Sequence, residues 1–220
     1  MQTVITDLAA HYSPPAPLTD PLEIIVWENI GYLIDDRPRE ALFRELNDRV
    51  GLSAASLASA PIEVLLDIAR RGGMHPDRRA ARLRDIARLV LEDCGGDLAE
   101  ALRTRPQAKA RALLKRFPSI GDPGADRILL FGGFAVVPAL ESNGLRAMVR
   151  LGLCQEKASY TASYKDAVRV LARHDPGRDW LMQAYVVLRE HGKILCKRNR
   201  PICLPCPLDS ACSHAVTSQL

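Results

Sequence analysis

Four cysteines stand close together near the C-terminal end of the sequence, in the stretch CKRNRPICLPCPLDSAC. Cys196, Cys203, Cys206 and Cys212 follow the spacing C-x6-C-x2-C-x5-C. Four thiolates at such short intervals can surround one tetrahedral centre, and zinc and a [4Fe–4S] cluster are the two candidate occupants. A zinc ribbon usually has two CxxC pairs, whereas this stretch has one. The spacing therefore predicts a metal centre and leaves both occupants open.

The composition of the chain indicates the class of protein that carries this centre and its expected location. The chain has 220 residues, of which 47% are hydrophobic and 25% charged, as in ordinary globular proteins. No long apolar window and no basic segment followed by an apolar run occurs, so we expect neither a membrane span nor a secretory signal. The expected location is the reducing cytoplasm, at the nucleoid in a bacterium, where structural disulfides are rare. The net charge of +4 permits a polyanionic partner without requiring one.

The approach to the cysteines, LREHGKILCKRNRPICLPCPLDSAC, resembles the C-terminus of endonuclease III-type DNA glycosylases. In that family a helix with an HG(R/K)xxC segment leads into a [4Fe–4S] cluster with this cysteine spacing. His191, Gly192 and Lys193 occupy the matching positions. The resemblance implies a [4Fe–4S] cluster whose role is structural and not catalytic.

Basic side chains fill the gap between the first two cysteines, at Lys197, Arg198 and Arg200. The resemblance implies that this loop presents them to the DNA backbone. Phosphate contacts of this kind supply affinity and register, but they do not read the base sequence. A solvated basic loop is the alternative interpretation.

A second stretch, LLKRFPSIGDPGADRILLF, resembles the helix–hairpin–helix motif of the same family, whose core reads LPGVGxxTA. The motif is expected over about residues 110–131. Its glycines allow close approach of the backbone, and the N–H groups at the start of the following helix can bind a phosphate. The candidate DNA-binding residues are Ser119, Ile120, Gly121 and Gly124. A Gly/Pro turn between two helices is the alternative.

One departure from the family pattern lies in the hairpin. Bifunctional members carry a lysine two residues after the second hairpin glycine, and its amine attacks the sugar to form a Schiff base. Counted from Gly121, that position is Pro123, which has no amine. Lys115 precedes the hairpin and is expected to point elsewhere. The sequence therefore predicts weak or absent AP-lyase activity.

The segment VVPALESNGLRAMVRLG resembles the family's P-x-L-D-x-N-x-x-R-x-x-x-R. Glu141 falls on the catalytic aspartate, while Asn143, Arg146 and Arg150 match directly. A helix start favours an anion. An ionised carboxylate there can stabilise positive charge at C1′ or orient a water, although glutamate is a poorer N-cap than aspartate. The alternative is an ordinary acidic residue near a helix start.

A second candidate carboxylate, Glu28, lies beside Asn29 in the otherwise apolar PLEIIVWENIGYLI, which is predicted to be a buried helix. The segment resembles the first core helix of the adenine-removing, mismatch-specific branch, where a glutamate at this position acts as an acid on the base. A buried carboxyl suits that role. A hydrogen-bonded core glutamate is the alternative.

Three further residues are candidates for contact with an extruded base or with the gap that it leaves. Tyr32 and Leu33 follow the first core helix, where the family has a glutamine-rich wedge that is missing here. Asn143 is a candidate for the base pocket. These assignments depend on the resemblance and not on the residue types alone.

The elements that must position these residues are helices, since Pro or Ser repeatedly begins an amphipathic segment and Gly ends it. The resemblance implies an all-α, two-lobed HhH-GPD DNA glycosylase fold with an iron–sulfur cluster loop. Residues 21–134 are expected to form a six-helix lobe. Residues 1–20 and 135–220 are expected to form a second helical lobe, with the cluster at residues 196–212.

The implied function is that of a monofunctional base excision repair DNA glycosylase. Acting as a monomer without any membrane, it would bind double-stranded DNA with a damaged or mispaired base, flip that base and hydrolyse its N-glycosidic bond. Three alternatives remain: a non-catalytic lesion-binding protein of the same fold, a bifunctional glycosylase and AP lyase, and a zinc-binding protein-interaction domain.

Overall fold

The computed structural model describes residues 1–173 and 176–218, and of residues 216–218 the backbone alone. In these ranges the chain is helical, with one isolated bridge between Tyr32 and Gly73 and no strand. The predicted all-α fold is confirmed. The helices are α1 Gln2–His11, α2 Pro21–Ile30, α3 Asp36–Arg49, α4 Ala54–Ser59, α5 Ile62–Arg70, α6 Pro76–Cys94, α7 Leu98–Arg103, α8 Gln107–Leu114, α9 Asp122–Phe131, α10 Ser142–Arg150, α11 Tyr160–Leu171, α12 Arg178–Ile194 and α13 Ser213–Ser218, with a 3-10 turn at Asp209–Ala211.

Helix α2 ends earlier than the apolar pattern predicts. The Asp20 side chain caps its start by accepting hydrogen bonds from two first-turn N–H groups. At the other end Gly31 is extended, and the Tyr32 N–H donates to the Gly72 carbonyl instead of continuing the helix. The predicted helix over residues 21–34 is therefore wrong beyond Ile30, because a contact with a distant loop captures the next N–H group.

Residues 18–134 form one compact unit. This unit contains eight helices, α2 to α9, where the sequence predicts six. The two additional helices, α4 and α7, have six residues each, which is too short to show a helical period in sequence. The core of the unit lies around α2, whose residues Ile24, Ile25 and Val26 are fully buried.

Residues 1–17 and 135–220 form the other compact unit. In it α12 packs against both α1 and α10. The approach of α10 to α12 requires a glycine at position 192, because a Cβ atom there would lie 2.4 Å from the Asn143 carbonyl oxygen. Tyr12, just after α1, shares a hydrogen bond of 3.1 Å between its hydroxyl and Nδ1 of His191. His191 and Gly192, which match the family's HG pair, therefore both stabilise the packing of α12 in this unit.

Across the described residues, no helix combines the length and the apolar character that a membrane span requires.

Candidate functional site

Glu141 is the N-cap of α10, and both of its carboxylate oxygens are held. Oε1 accepts a hydrogen bond of 2.7 Å from the Gly144 N–H, and Oε2 accepts one of 2.8 Å from Nδ2 of Asn143. The longer glutamate side chain thus satisfies a first-turn N–H in the manner of an aspartate. Each oxygen keeps a further lone pair that a water or a substrate can use.

Asn143 supports Glu141 from within α10. Its amide nitrogen donates to Glu141, and its amide oxygen accepts a hydrogen bond of 2.8 Å from Nη2 of Arg146. Arg146 also donates to the carbonyls of Gly192 and Cys196, at 2.7 Å and 3.1 Å. The Arg146 guanidinium therefore holds both Asn143, which supports the Glu141 carboxylate, and the start of the cysteine loop. Its burial lowers its pKa from the usual value.

Arg150, one turn further along α10, also holds the cysteine loop. Its guanidinium donates to the carbonyls of Lys197 and Arg198, at 2.6 Å and 2.8 Å, and lies 3.5 Å from the Cys196 sulfur. Arg146 and Arg150, which match the family pattern, thus both donate hydrogen bonds to backbone carbonyls at the cysteine loop. They leave the side chains of Lys197, Arg198 and Arg200 exposed on the outer side of the loop.

The four cysteine side chains at 196, 203, 206 and 212 line one pocket together with His191. N–H donors suited to thiolates are present, since the Leu208 N–H lies 3.4 Å from the Cys206 sulfur. Within residues 1–173 and 176–218, no group of three or more His, Cys, Asp and Glu side chains is arranged to hold a single metal ion. Four sulfurs around a shared pocket fit a [4Fe–4S] cluster, whose iron atoms each take one thiolate.

The remaining two cysteines lie away from this pocket. Cys154 is buried, and burial raises the pKa of its thiol to about 11. Cys94 is partly exposed at the end of α6, and burial also raises the pKa of its thiol. Both side chains are therefore neutral thiols at pH 7 and poor metal ligands.

The hairpin joins α8 to α9 through residues 115–121. Ser119 has a positive φ of 64°, in the left-handed region that favours glycine. Gly121 does not need its glycine for packing, because a Cβ atom there would meet nothing closer than 3.8 Å. The open space at the start of α9, a helix without a side-chain cap, leaves its first N–H groups accessible to a ligand backbone.

Lys115 lies at the start of the hairpin, directly after α8. Its Nζ atom is 2.6 Å from Oδ1 of Asp122, the residue directly before Pro123. This hydrogen bond, together with Arg111 at 3.1 Å, lowers the pKa of the Asp122 carboxyl. The Lys115 amine is therefore engaged in an ion pair with the residue next to Pro123.

Glu28 is not buried as predicted. Its side chain is 36% exposed, and Oε1 lies 2.5 Å from Nη1 of Arg127, which is itself 12% exposed. Glu28 lies on a side of α2 that is only partly covered: Glu23 and Trp27 are also partly exposed there, although Trp27 packs against Phe43 of α3. The Arg127 guanidinium therefore engages one of the two carboxylate oxygens of Glu28.

Asn29, in contrast, is a structural polar residue of the core, with 2% exposure. Its amide nitrogen donates to the carbonyls of Ile25 and Pro118, both at 2.9 Å, and its amide oxygen accepts a hydrogen bond from the Ser119 hydroxyl. The hairpin turn is thereby anchored to α2.

Tyr32 and Leu33 lie in the loop after α2 and are exposed, at 50% and 74%. Leu33 has a positive φ of 58°, which turns the chain sharply at the tip. Met74 and His75, from the loop between α5 and α6, lie at the same place: Tyr32 bridges to Gly73, and its ring lies 6.3 Å from that of His75. These two loops form one exposed, largely apolar tip.

No protein-family model matches the chain. In sequence it is 23% identical over 208 residues to endonuclease III of Bacillus subtilis (strain 168), which covers 94% of this chain and 88% of that relative. A trapped endonuclease III–DNA covalent intermediate has a TM-score of 0.78 at 17% identity, over 100% of this chain and 97% of the other. A thermostable thymine-DNA glycosylase has a TM-score of 0.76 at 14% identity, over 98% and 96%.

The helices and the hairpin thus define an all-α protein with the endonuclease III fold. The sequence likeness to endonuclease III also extends over nearly the whole chain, which confirms the predicted resemblance to endonuclease III. Sequence reasoning missed Arg127 and Arg82, the partners of Glu28 and Ser119. Arg82 is one of several arginines in α6, and nothing in the sequence pairs Arg127 of α9 with a glutamate 99 positions away.

Proposed function

We propose that the protein is a DNA glycosylase of base excision repair that hydrolyses the N-glycosidic bond of a damaged or mispaired base in double-stranded DNA. The observation that carries the proposal is Glu141, a carboxylate held by two N–H donors at a helix start. Its place in the motif is that of the family's catalytic aspartate. The relatives named as endonuclease III and the solved complexes with DNA support the same activity.

Glu141 supplies the negative charge of the reaction. As the N-glycosidic bond breaks, positive charge develops at C1′ and its ring oxygen, and a fixed carboxylate stabilises that charge without reorganising. The unused lone pairs of its oxygens can accept a proton from the attacking water. Asn143 and Arg146 serve as positioning residues, because they hold Glu141 and do not need to touch the DNA.

Glu28 acts on the base as a hydrogen-bond acceptor in this proposal and not as its acid. The ion pair with Arg127 engages Oε1, and the partial exposure of the side chain leaves its second oxygen accessible. An accepting carboxylate can bind an exocyclic amine or a ring N–H of an extruded base. Tyr32 and Leu33 are proposed to enter the gap that the base leaves in the duplex.

Cys196, Cys203, Cys206 and Cys212 are proposed to hold a [4Fe–4S] cluster. When bound, the cluster supplies no group for hydrolysis and instead fixes the loop that carries Lys197, Arg198 and Arg200. These three side chains contact DNA phosphates, as do the N–H groups of the hairpin at Ser119, Gly121 and Gly124. The Ile120 N–H instead donates to the Phe117 carbonyl at 3.2 Å, so Ile120 serves the turn itself.

We expect the purified protein to leave no covalent adduct when it is incubated with abasic DNA and borohydride. Pro123 has no amine, and the Lys115 amine is engaged in an ion pair with Asp122, so no amine is positioned to attack C1′ and form the Schiff base that borohydride reduces. Gel analysis of the trapped complex is the measurement. An adduct that disappears in Lys115→Ala would show that this amine replaces the missing lysine.

The glycosylase activity is tested with a panel of duplexes, each with one damaged or mispaired base, followed by alkali to cleave abasic sites. Strand cleavage at one lesion that requires alkali supports a monofunctional glycosylase. Binding to a lesion without any cleavage favours the non-catalytic protein of the same fold.

A further inference from the structure

Ser119 occupies a position where the family's hairpin core has glycine, and it adopts the conformation that glycine favours, with φ 64°. A non-glycine residue in this region is strained by about 1 kcal/mol. The side chain that causes the strain is used twice. Its hydroxyl donates to Oδ1 of Asn29 at 3.0 Å and accepts a hydrogen bond from Nη1 of Arg82 at 3.1 Å.

The serine hydroxyl therefore connects a buried amide to a charged side chain at the surface. Asn29 is fixed on the inner side by two carbonyls, so the hydroxyl has one orientation in which it can both donate and accept. This orientation directs its lone pair towards Arg82, which lies on α6 and is half-buried. The guanidinium is thereby held beside the hairpin turn.

Arg82 has N–H donors beyond the one that the Ser119 hydroxyl accepts. In the described part of the chain its one hydrogen bond is to the neutral Ser119 hydroxyl, and no carboxylate pairs with it. A guanidinium has five N–H donors in a planar fork that matches a phosphate. Other arginines near the hairpin differ, since Arg111 is bound to Asp126 and Asp122.

We propose that Arg82 is a phosphate-binding residue of the hairpin and that Ser119 is the residue that positions it. The ligand is a phosphodiester of the DNA backbone, which the guanidinium binds beside the N–H groups at the start of α9. The assignment rests on the proposed function, which supplies DNA as the ligand, but it concerns DNA binding and not base removal. It gives a reason why the chain keeps a strained serine where glycine would cost nothing.

The test is the salt dependence of binding to a short undamaged duplex, measured by fluorescence anisotropy for the whole 220-residue chain as purified. The loss of one phosphate contact reduces the magnitude of the negative slope of log K against log salt by about 0.9. We expect that decrease for Arg82→Gln. The control is Arg88→Gln, an exposed arginine about a third of a turn away around the same helix, for which the slope stays at the wild-type value.

Ser119→Gly separates positioning from a general structural role. It relieves the positive φ but removes the hydroxyl that Asn29 and Arg82 share, so these two effects on stability oppose each other while the affinity for DNA falls. Thermal unfolding, measured in parallel, shows that the variant is folded. In combination with Arg82→Gln it should cause no further loss, because both changes remove the same contact.

Equal slopes for Arg82→Gln and Arg88→Gln would overturn the assignment, as would a Ser119→Gly variant that binds as tightly as the wild type. The predicted slopes in a protein that releases no base from any lesion would support Arg82 and contradict the glycosylase. A wild-type protein that binds no duplex would contradict both.

Discussion

Glu141→Gln is expected to lower the rate of base release by at least about 10²-fold while DNA binding persists. The substitution removes the charge that opposes the developing oxocarbenium ion and the base that takes a proton from water. It keeps one acceptor oxygen for the Gly144 N–H, so the cap of α10 survives. Single-turnover release from the substrate found in the lesion panel is the measurement, together with affinity for the same duplex.

Two variants control this experiment. Glu156→Gln removes an exposed carboxylate from the same compact unit and is expected to leave the rate unchanged. Glu141→Asp restores the family's residue and a better N-cap, and it should remain active. Undiminished base release by Glu141→Gln would remove Glu141 from the mechanism and leave the reaction without its central charge.

Cys203→Ala is expected to remove the metal centre and weaken DNA binding. With three thiolates, one iron of the proposed cluster would lack a protein ligand, and the loop would lose the anchor that holds its basic residues in place. If Lys197, Arg198 and Arg200 each contact one phosphate, the magnitude of the slope of log K against log salt falls by up to about 2.7. Iron and sulfide analysis, visible absorbance and the slope itself are the measurements.

Cys94→Ala is the matched control, because Cys94 lies outside the cysteine pocket and is expected to affect neither iron content nor slope. A colourless wild-type protein that contains zinc and no sulfide would disprove the iron–sulfur assignment. Full iron content in Cys203→Ala would exclude that cysteine as a ligand.

Features that depend on neighbouring residues could be predicted from the sequence. The cysteines at 196–212 share a pocket because the chain between them is short, and Glu141 caps α10 because a capping residue acts on its own first turn. The hairpin at residues 115–121 also follows from its own Pro and Gly pattern. In each case the sequence distance is small, so spacing restricts geometry strongly.

Features that depend on distant partners could not be predicted. The ion pair of Glu28 involves Arg127, 99 positions away, and the support of Ser119 involves Arg82 and Asn29, 37 and 90 positions away. Periodicity also failed at the end of α2, where the Gly72 carbonyl captures the Tyr32 N–H. An apolar run predicts burial on average, but it does not identify the one face of α2 on which Glu28 stays accessible.

The most direct measurement is mass-spectrometric detection of the free base released from a lesion-bearing duplex, in parallel with quantification of abasic sites. The proposed function predicts equal amounts of free base and abasic sites in the wild type, and neither above background in Glu141→Gln. Tight binding to every lesion, without a free base from any of them, would contradict the proposed hydrolysis and identify a protein that recognises DNA without cutting it.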